Sequence, residues 1–148
     1  MLKEILRVPP DIFISRLASE LAKYKEIQPP PESIFWKTVA GKRTPPVQDN
    51  WWYIRAAAIL RKVALKAPIG VSRLRKEFGY AKRRGVRPRR FQKAAGKPIR
   101  LILQQLEAAG LLRKEYSVRN DRKVIKGRVL SYEGIRLLVD LARELGGA

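Results

Sequence analysis

Apolar residues recur at spacings of three and four along much of the chain, which is the pattern of amphipathic helices. This pattern, together with the capping residues, predicts five helices: from Pro9-Pro10-Asp11 to about Lys23, from a cap at Asp49 to residue 66, from Ser72 to Phe78, from Pro98 to Ala109, and from Ser131 to Gly146-Gly147. The second of them is apolar around most of its girth, which indicates a central, buried helix.

Two short runs near the carboxyl end read as strands. Leu111 to Glu115 and Val124 to Leu130 flank a turn signal, Asn120-Asp121, so they predict a basic hairpin. Added to the helices, the hairpin predicts one mainly α (α+β) domain over residues 1–148. We expect a winged helix-turn-helix with an added N-terminal helix and a C-terminal helix.

Residues 28–48 are rich in proline and cannot continue a helix. We expect an extended segment that lies across the domain. Trp36 is interpreted as its anchor to the core, although an indole could also stack on a base. Lys37, Lys42 and Arg43 form a minor basic patch that could contact phosphate.

The charge balance of the chain indicates what kind of ligand it binds. The chain has 33 Lys and Arg against 13 Asp and Glu, a net charge of +20. A field of that sign attracts polyanions, of which nucleic acid is the commonest, and a membrane surface is the less favoured alternative. Cys and His are both absent, which removes thiol nucleophiles, imidazole bases and zinc fingers. We expect no enzyme, cofactor, metal or small-molecule substrate. No apolar run is long enough to span a membrane.

The most basic stretch lies between the third and fourth predicted helices. Residues 78–106 hold no acidic residue, and Gly79 to Lys97 is predicted to be an exposed loop. Gly79 is expected in a left-handed conformation. Phe91 is interpreted as part of the core, although its ring could also stack on a base. Like charges at this spacing repel one another, which favours nucleic-acid contact over a merely solvated loop. The nine cations are Lys82, Arg83, Arg84, Arg87, Arg89, Arg90, Lys93, Lys97 and Arg100.

Arg55 and Arg61 lie on the central helix, where buried arginine is rare without a partner. Surface phosphate contact and internal pairing both remain open for them.

Several motifs resemble one family over nearly the whole chain. They are Asp49-Asn50-Trp51-Trp52-Tyr53-Ile54-Arg55-Ala56-Ala57 with Leu60-Arg61-Lys62 and Gly70-Val71, the loop Gly79 to Phe91, and Leu103-Gln104-Gln105-Leu106-Glu107. They are similar to the small ribosomal subunit protein nineteen-e family, of archaeal and eukaryotic type. Two residues depart from its pattern: Tyr80, where the family often has Gly, and Arg90, where it often has His.

The resemblance implies a structural, cytoplasmic protein of the small-subunit head that binds ribosomal RNA beside neighbouring ribosomal proteins. It also implies a contribution to subunit assembly and RNA maturation. Carried over by motif, Arg55, Arg61, the Lys82–Arg90 loop and Arg100 would contact RNA, and Trp52 would be structural.

A DNA-binding transcription regulator is the competing interpretation, because many winged helices are regulators. The predicted outward face of the fourth helix offers Arg100, Gln104 and then Glu107, which would repel phosphate. A major-groove reader needs several base-edge donors on that face. The charge lies in the loop and wing instead, which favours irregular RNA. An enzyme is least favoured, since carboxylates are scattered and no phosphate-binding Gly-rich motif occurs.

Overall fold

The computed structural model describes residues 3–146. The α-helices in this range are α1 (Lys3–Arg7), α2 (Pro10–Leu21), α3 (Trp51–Lys66), α4 (Val71–Glu77), α5 (Gly96–Ala108) and α6 (Tyr132–Gly146), with a 3-10 helix at Pro31–Phe35. The strands are β1 (Tyr80–Arg84), β2 (Arg87–Gln92), β3 (Leu112–Arg119) and β4 (Arg122–Leu130). The last predicted helix ends at Gly146-Gly147, and Gly147 lies outside the described residues.

Helices α3, α4 and α5 followed by the β3–β4 hairpin form a winged helix, as predicted. Strands β3 and β4 pair antiparallel, and Asn120 and Asp121 form the turn with positive φ. The segment before α4 forms an isolated β-bridge with the wing, because Ile69 and Arg128 exchange backbone hydrogen bonds of 3.3 and 2.9 Å. Gly127 permits this approach, since a Cβ there would lie 2.9 Å from the Ile69 nitrogen. The wing is therefore tied to the helical unit at its base.

The central position predicted for α3 is confirmed. Its buried residues include Trp52, Ala56, Ile59, Leu60 and Val63, which belong to one cluster with buried side chains of α1, α2, α4, α5 and α6. Burial of these apolar side chains away from water is the main favourable contribution to the stability of such a fold.

Several predicted boundaries are wrong. The helix α1 was not predicted, because five residues are too few to show a period. Asn50 rather than Asp49 precedes α3 and makes no side-chain capping bond, and Ser72 lies inside α4. The cap at Ser131 is confirmed, since its Oγ accepts the Gly134 N–H at 3.2 Å.

The largest correction concerns the predicted loop from Gly79 to Lys97. Residues 80–92 form an antiparallel hairpin, β1–β2, and 96 and 97 already belong to α5. The turn is made at Gly85, with φ +68°. Cations occupy both faces of these strands, so no alternation of apolar and polar residues marked them in the sequence. The predicted exposure is confirmed, because most of the side chains are solvent-accessible.

Two further expectations on this segment are wrong. Phe91 is 60% exposed rather than in the core. Gly79 is not in the left-handed region; it is required by contact, because a Cβ there would lie 2.3 Å from the Phe91 ring and 2.7 Å from the Gln92 carbonyl oxygen. The Phe91 ring therefore packs over the glycine at the base of the hairpin.

Candidate nucleic-acid interface

The β1–β2 hairpin presents cations without any acidic residue. Its register places Lys82 opposite Arg90 and Arg84 opposite Arg87. Like charges directly opposite one another on two paired strands destabilise the pairing. Arg84 Nε also donates to the Pro88 carbonyl at 3.0 Å, which fixes its guanidinium at the hairpin. The arrangement concentrates positive charge that only an external anion can neutralise.

The carboxylates of the protein lie elsewhere. Among residues 3–146, Lys97 is the one predicted site cation that has an acidic partner, Glu32 at 3.9 Å. Lys62 and Lys66, which were not predicted as site residues, both bind Glu77. The hydrogen bonds from the ammonium groups of Lys66 and Lys62 lower the pKa of Glu77 from its usual value. Within the described residues, the predicted site cations other than Lys97 therefore have no carboxylate partner.

Arg55 is half-buried, and its guanidinium carbon lies 4.5 Å from the centroid of the Phe78 ring. Burial lowers the pKa of Arg55 from its ordinary value. Arg61 is also half-buried, and its Nε has no hydrogen-bond partner in the described chain. Neither arginine has a carboxylate partner within the described residues, so internal ion pairing does not explain their position on the central helix.

A cleft of about 990 Å³ opens between the segment 38–48, the start of α3 and the β1 strand with its turn. The predicted cations Lys42, Arg43, Arg55 and Arg83 line it together. None of its lining residues is acidic. The fold therefore brings cations from three separate segments onto one concave surface.

Aromatic and apolar side chains form the rest of the cleft, among them Trp51, Ile54 and Tyr80. The sequence pattern did not indicate that Trp51 and Tyr80 share a site. They are 29 positions apart and belong to different elements, so only the fold could show it. Trp51 is half-buried, with its ring edge-on to Trp52 at 5.4 Å.

Other predicted site residues lie outside this cleft. Lys97 extends over the Trp36 ring, 4.9 Å from its centroid, and Arg100 is exposed on α5. Trp36 itself packs 6.2 Å from Trp52, which confirms its role as an anchor. The exposed ammonium of Lys37 lies 3.5 Å from the Ala40 carbonyl oxygen.

Exposed cations outside the cleft continue along the hairpin into β2 and the residue that follows it. They are Lys82, Arg87, Arg89, Arg90 and Lys93.

The wing differs from the hairpin in its charge pairing. Glu107 of α5 binds Arg128 of the wing and lies 3.8 Å from Lys114. The expectation that Glu107 faces outward and repels phosphate is therefore wrong, because wing cations neutralise it. Arg119 and Arg122 at the wing tip are exposed.

Within residues 3–146, no helix is both long and apolar enough to cross a membrane.

Comparisons with known proteins identify the family of the chain. The sequence pattern of the family described as Ribosomal protein S19e matches residues 4–147. Small ribosomal subunit protein eS19 of Aeropyrum pernix is 42% identical over 142 residues, covering 95% of this chain and 88% of the relative.

More distant relatives cover a similar share. The protein of the same name from Haloarcula marismortui is 40% identical, over 93% of this chain and 88% of its own length. Small ribosomal subunit protein eS19G of Ascaris suum is 34% identical, over 90% and 85%. Proteins so named are structural parts of ribosomes rather than enzymes, in agreement with the expectation for this chain. The chain therefore belongs to the Ribosomal protein S19e family.

Proposed function

We propose that this chain is a structural component of the small ribosomal subunit in the cytoplasm, and that it binds ribosomal RNA through the β1–β2 hairpin and the adjoining cleft. The observation that carries the proposal is the hairpin itself. It holds six cations between residues 80 and 92, and no acidic residue lies among them. Residues 1–148 would act as one winged-helix RNA-binding domain.

Charge placement supports RNA rather than a DNA operator. A reader of the major groove needs several donors on the exposed face of its recognition helix. On α5 that face offers Arg100 and Gln104, while Glu107 is held by the wing. The unpaired cations project from the hairpin instead. A projecting basic hairpin suits folded RNA, whose irregular surface is recognised by shape, phosphates and unstacked bases.

Different residues would make different contacts with the RNA. Hairpin cations would neutralise phosphates, and guanidinium groups would hold them through paired hydrogen bonds. Arg61 and Arg100 would extend the contact along α3 and α5. Ordering RNA in this way would also contribute to small-subunit assembly and RNA maturation, next to neighbouring ribosomal proteins.

Ultraviolet crosslinking in purified small subunits tests the proposal. The protein should co-sediment with the subunits, and RNA-linked peptides should come from residues 80–97 and 41–61. The exposed cations Arg136 and Arg143 on α6 serve as an internal control, since both lie near carboxylates. Absence from small subunits, or RNA adducts confined to α6, would contradict it.

A separate binding comparison tests the alternative that the protein is a DNA-binding transcription regulator. At matched salt, the protein should prefer a ribosomal RNA fragment to a palindromic DNA duplex. A preference for the duplex would favour the transcription regulator.

A further inference from the structure

The cleft combines positive charge with apolar and aromatic surface. Lys42, Arg43, Arg55 and Arg83 supply positive charge, and Trp51, Ile54 and Tyr80 supply apolar and aromatic surface. A ligand that matches both has an anionic group and a flat apolar group close together. A nucleotide has this composition, since its phosphate is anionic and its base has two π faces.

We propose that the cleft holds one unstacked nucleotide of the bound RNA, extruded from a bulge or loop. This inference rests on the RNA-binding function proposed above and names the part of the RNA that the cleft takes. The base stacks on Tyr80, and the adjoining phosphate binds Arg55 and its neighbouring cations.

The tyrosine is suitably exposed and held in place. Tyr80 is 51% exposed, at the first position of β1, and the Lys42 ammonium lies 5.5 Å from its ring centroid. Gly41 fixes the adjoining turn against the hairpin, because a Cβ there would lie 3.2 Å from Lys82 side-chain carbons. The turn at Gly41 and the hairpin therefore lie in contact beside Tyr80.

Arg55 supplies the anion-binding element. Its guanidinium stacks on Phe78, has no carboxylate partner in the described chain and lines the cleft. A half-buried cation without a partner gains more from an incoming phosphate than a hydrated one does, because part of its desolvation has already occurred.

Buried Thr38 is a third feature of the cleft. It is 6% exposed, lines the cleft and leaves its hydroxyl without a hydrogen-bond partner within residues 3–146. Buried hydroxyls are normally paired. The unpaired hydroxyl of Thr38 therefore leaves one unsatisfied polar group at the wall of the cleft.

Other ligands fit less well. A double-stranded stem cannot present a base face to Tyr80, because its bases are stacked on one another. An acidic peptide would match the cations but would leave the aromatic wall without a flat partner. A metal ion is disfavoured, since no acidic side chain lines the cleft.

The test compares two RNA stem-loops of the same stem sequence, one of which carries a single bulged uridine. Affinities are measured by fluorescence anisotropy with the full chain at several salt concentrations. The intact protein should bind the bulged RNA about tenfold more tightly, as expected for one base–aromatic stack. Tyr80→Ala should remove this preference, and Tyr80→Phe, which keeps the ring, should retain it.

Tyr116→Ala is the matched control. Tyr116 is 56% exposed on β3 of the wing, outside the cleft, so its loss should leave the preference intact. Neither alanine variant changes the charge of the protein, so both should bind the plain stem with the salt dependence of the intact chain. A second readout places 4-thiouridine in the bulge, where its crosslinks should fall on Tyr80 or Trp51.

Equal affinity for the two RNAs, equal effects of the two alanine variants, or crosslinks confined to Phe91 or the wing would overturn the inference. If the plain stem still binds through the hairpin cations, ribosomal RNA binding stands and only the nucleotide site falls. If neither RNA binds, both the site and the proposed function fail.

Discussion

Trp52 donates its indole N–H to the side-chain oxygen of Gln105 at 2.9 Å, which joins the start of α3 to the last turn of α5. The amide nitrogen of Gln105 in turn donates to the Gln28 carbonyl at 2.7 Å. One glutamine therefore connects the central helix, the fifth helix and the proline-rich segment. Trp51 and Arg55, which line the cleft, lie on the helix end that this network holds.

Gln105→Ala should lower the free energy of unfolding by about 1–3 kcal/mol, because the buried Trp52 N–H loses its acceptor. Chemical denaturation followed by Trp fluorescence measures the change. The neighbouring Gln104 is exposed, so Gln104→Ala should stay within about 0.5 kcal/mol of the intact chain. Equal losses for the two variants would mean that the network contributes nothing to stability.

Gly79→Ala should destabilise the protein by about 1–3 kcal/mol, because a methyl group there would overlap the Phe91 ring and the Gln92 carbonyl. The backbone oxygen cannot give way without moving β2. Gly96 at the start of α5 is the control, since its added Cβ would meet only Arg75 side-chain atoms at 3.4 Å and beyond. A Gly79→Ala protein as stable as Gly96→Ala would show that the ring moves aside freely.

The apolar pattern of the sequence predicted the longer helices and the wing, and it missed the β1–β2 hairpin and the five-residue helix α1. Apolar stripes identified α2, α3, α5 and α6, and the turn at Asn120 identified the wing. Tyr80 and Phe91 are the large apolar side chains of the β1–β2 strands, and both are exposed, so nothing in their pattern distinguished strands from a loop.

The candidate site was predicted only in part, for a related reason. Cations such as Arg55 and Arg83 could be chosen one by one from their charge. Their meeting in one cleft with Trp51 and Tyr80 depends on how α3, the 38–48 segment and β1 pack. Local patterns carry no information on such distant contacts.

Trypsin should cut the free protein first between Lys82 and Arg90. Both hairpins carry like charges across their strands, but the wing is also tied to the helices at Ile69 and by the pair of Arg128 with Glu107. Low local stability of this kind raises the population of open, cleavable states. Bound RNA should protect the hairpin bonds by neutralising the charges that repel one another.

The wing tip, residues 119–123, is the control for this digestion because it is also basic and exposed. Mass spectrometry of the early fragments identifies the first cuts. Equal resistance of the hairpin and the wing tip would indicate a hairpin that is already rigid, and RNA would then find a preformed surface.

The most direct measurement of the central claim is the salt dependence of affinity for a structured ribosomal RNA fragment. It compares the intact chain with Arg83, Arg84 and Arg87 replaced together by Ala. A control removes the same charge from Lys23, Arg136 and Arg143, which lie on or beside α2 and α6 near carboxylates. Circular dichroism checks that both variants are folded.

If the hairpin neutralises phosphates, its triple variant should reduce the slope of log K against log salt by about two to three, because each phosphate contact contributes roughly 0.7–0.9. The control variant should keep the slope of the intact chain. An unchanged slope for the hairpin variant, or the same reduction in both variants, would contradict RNA binding through the hairpin.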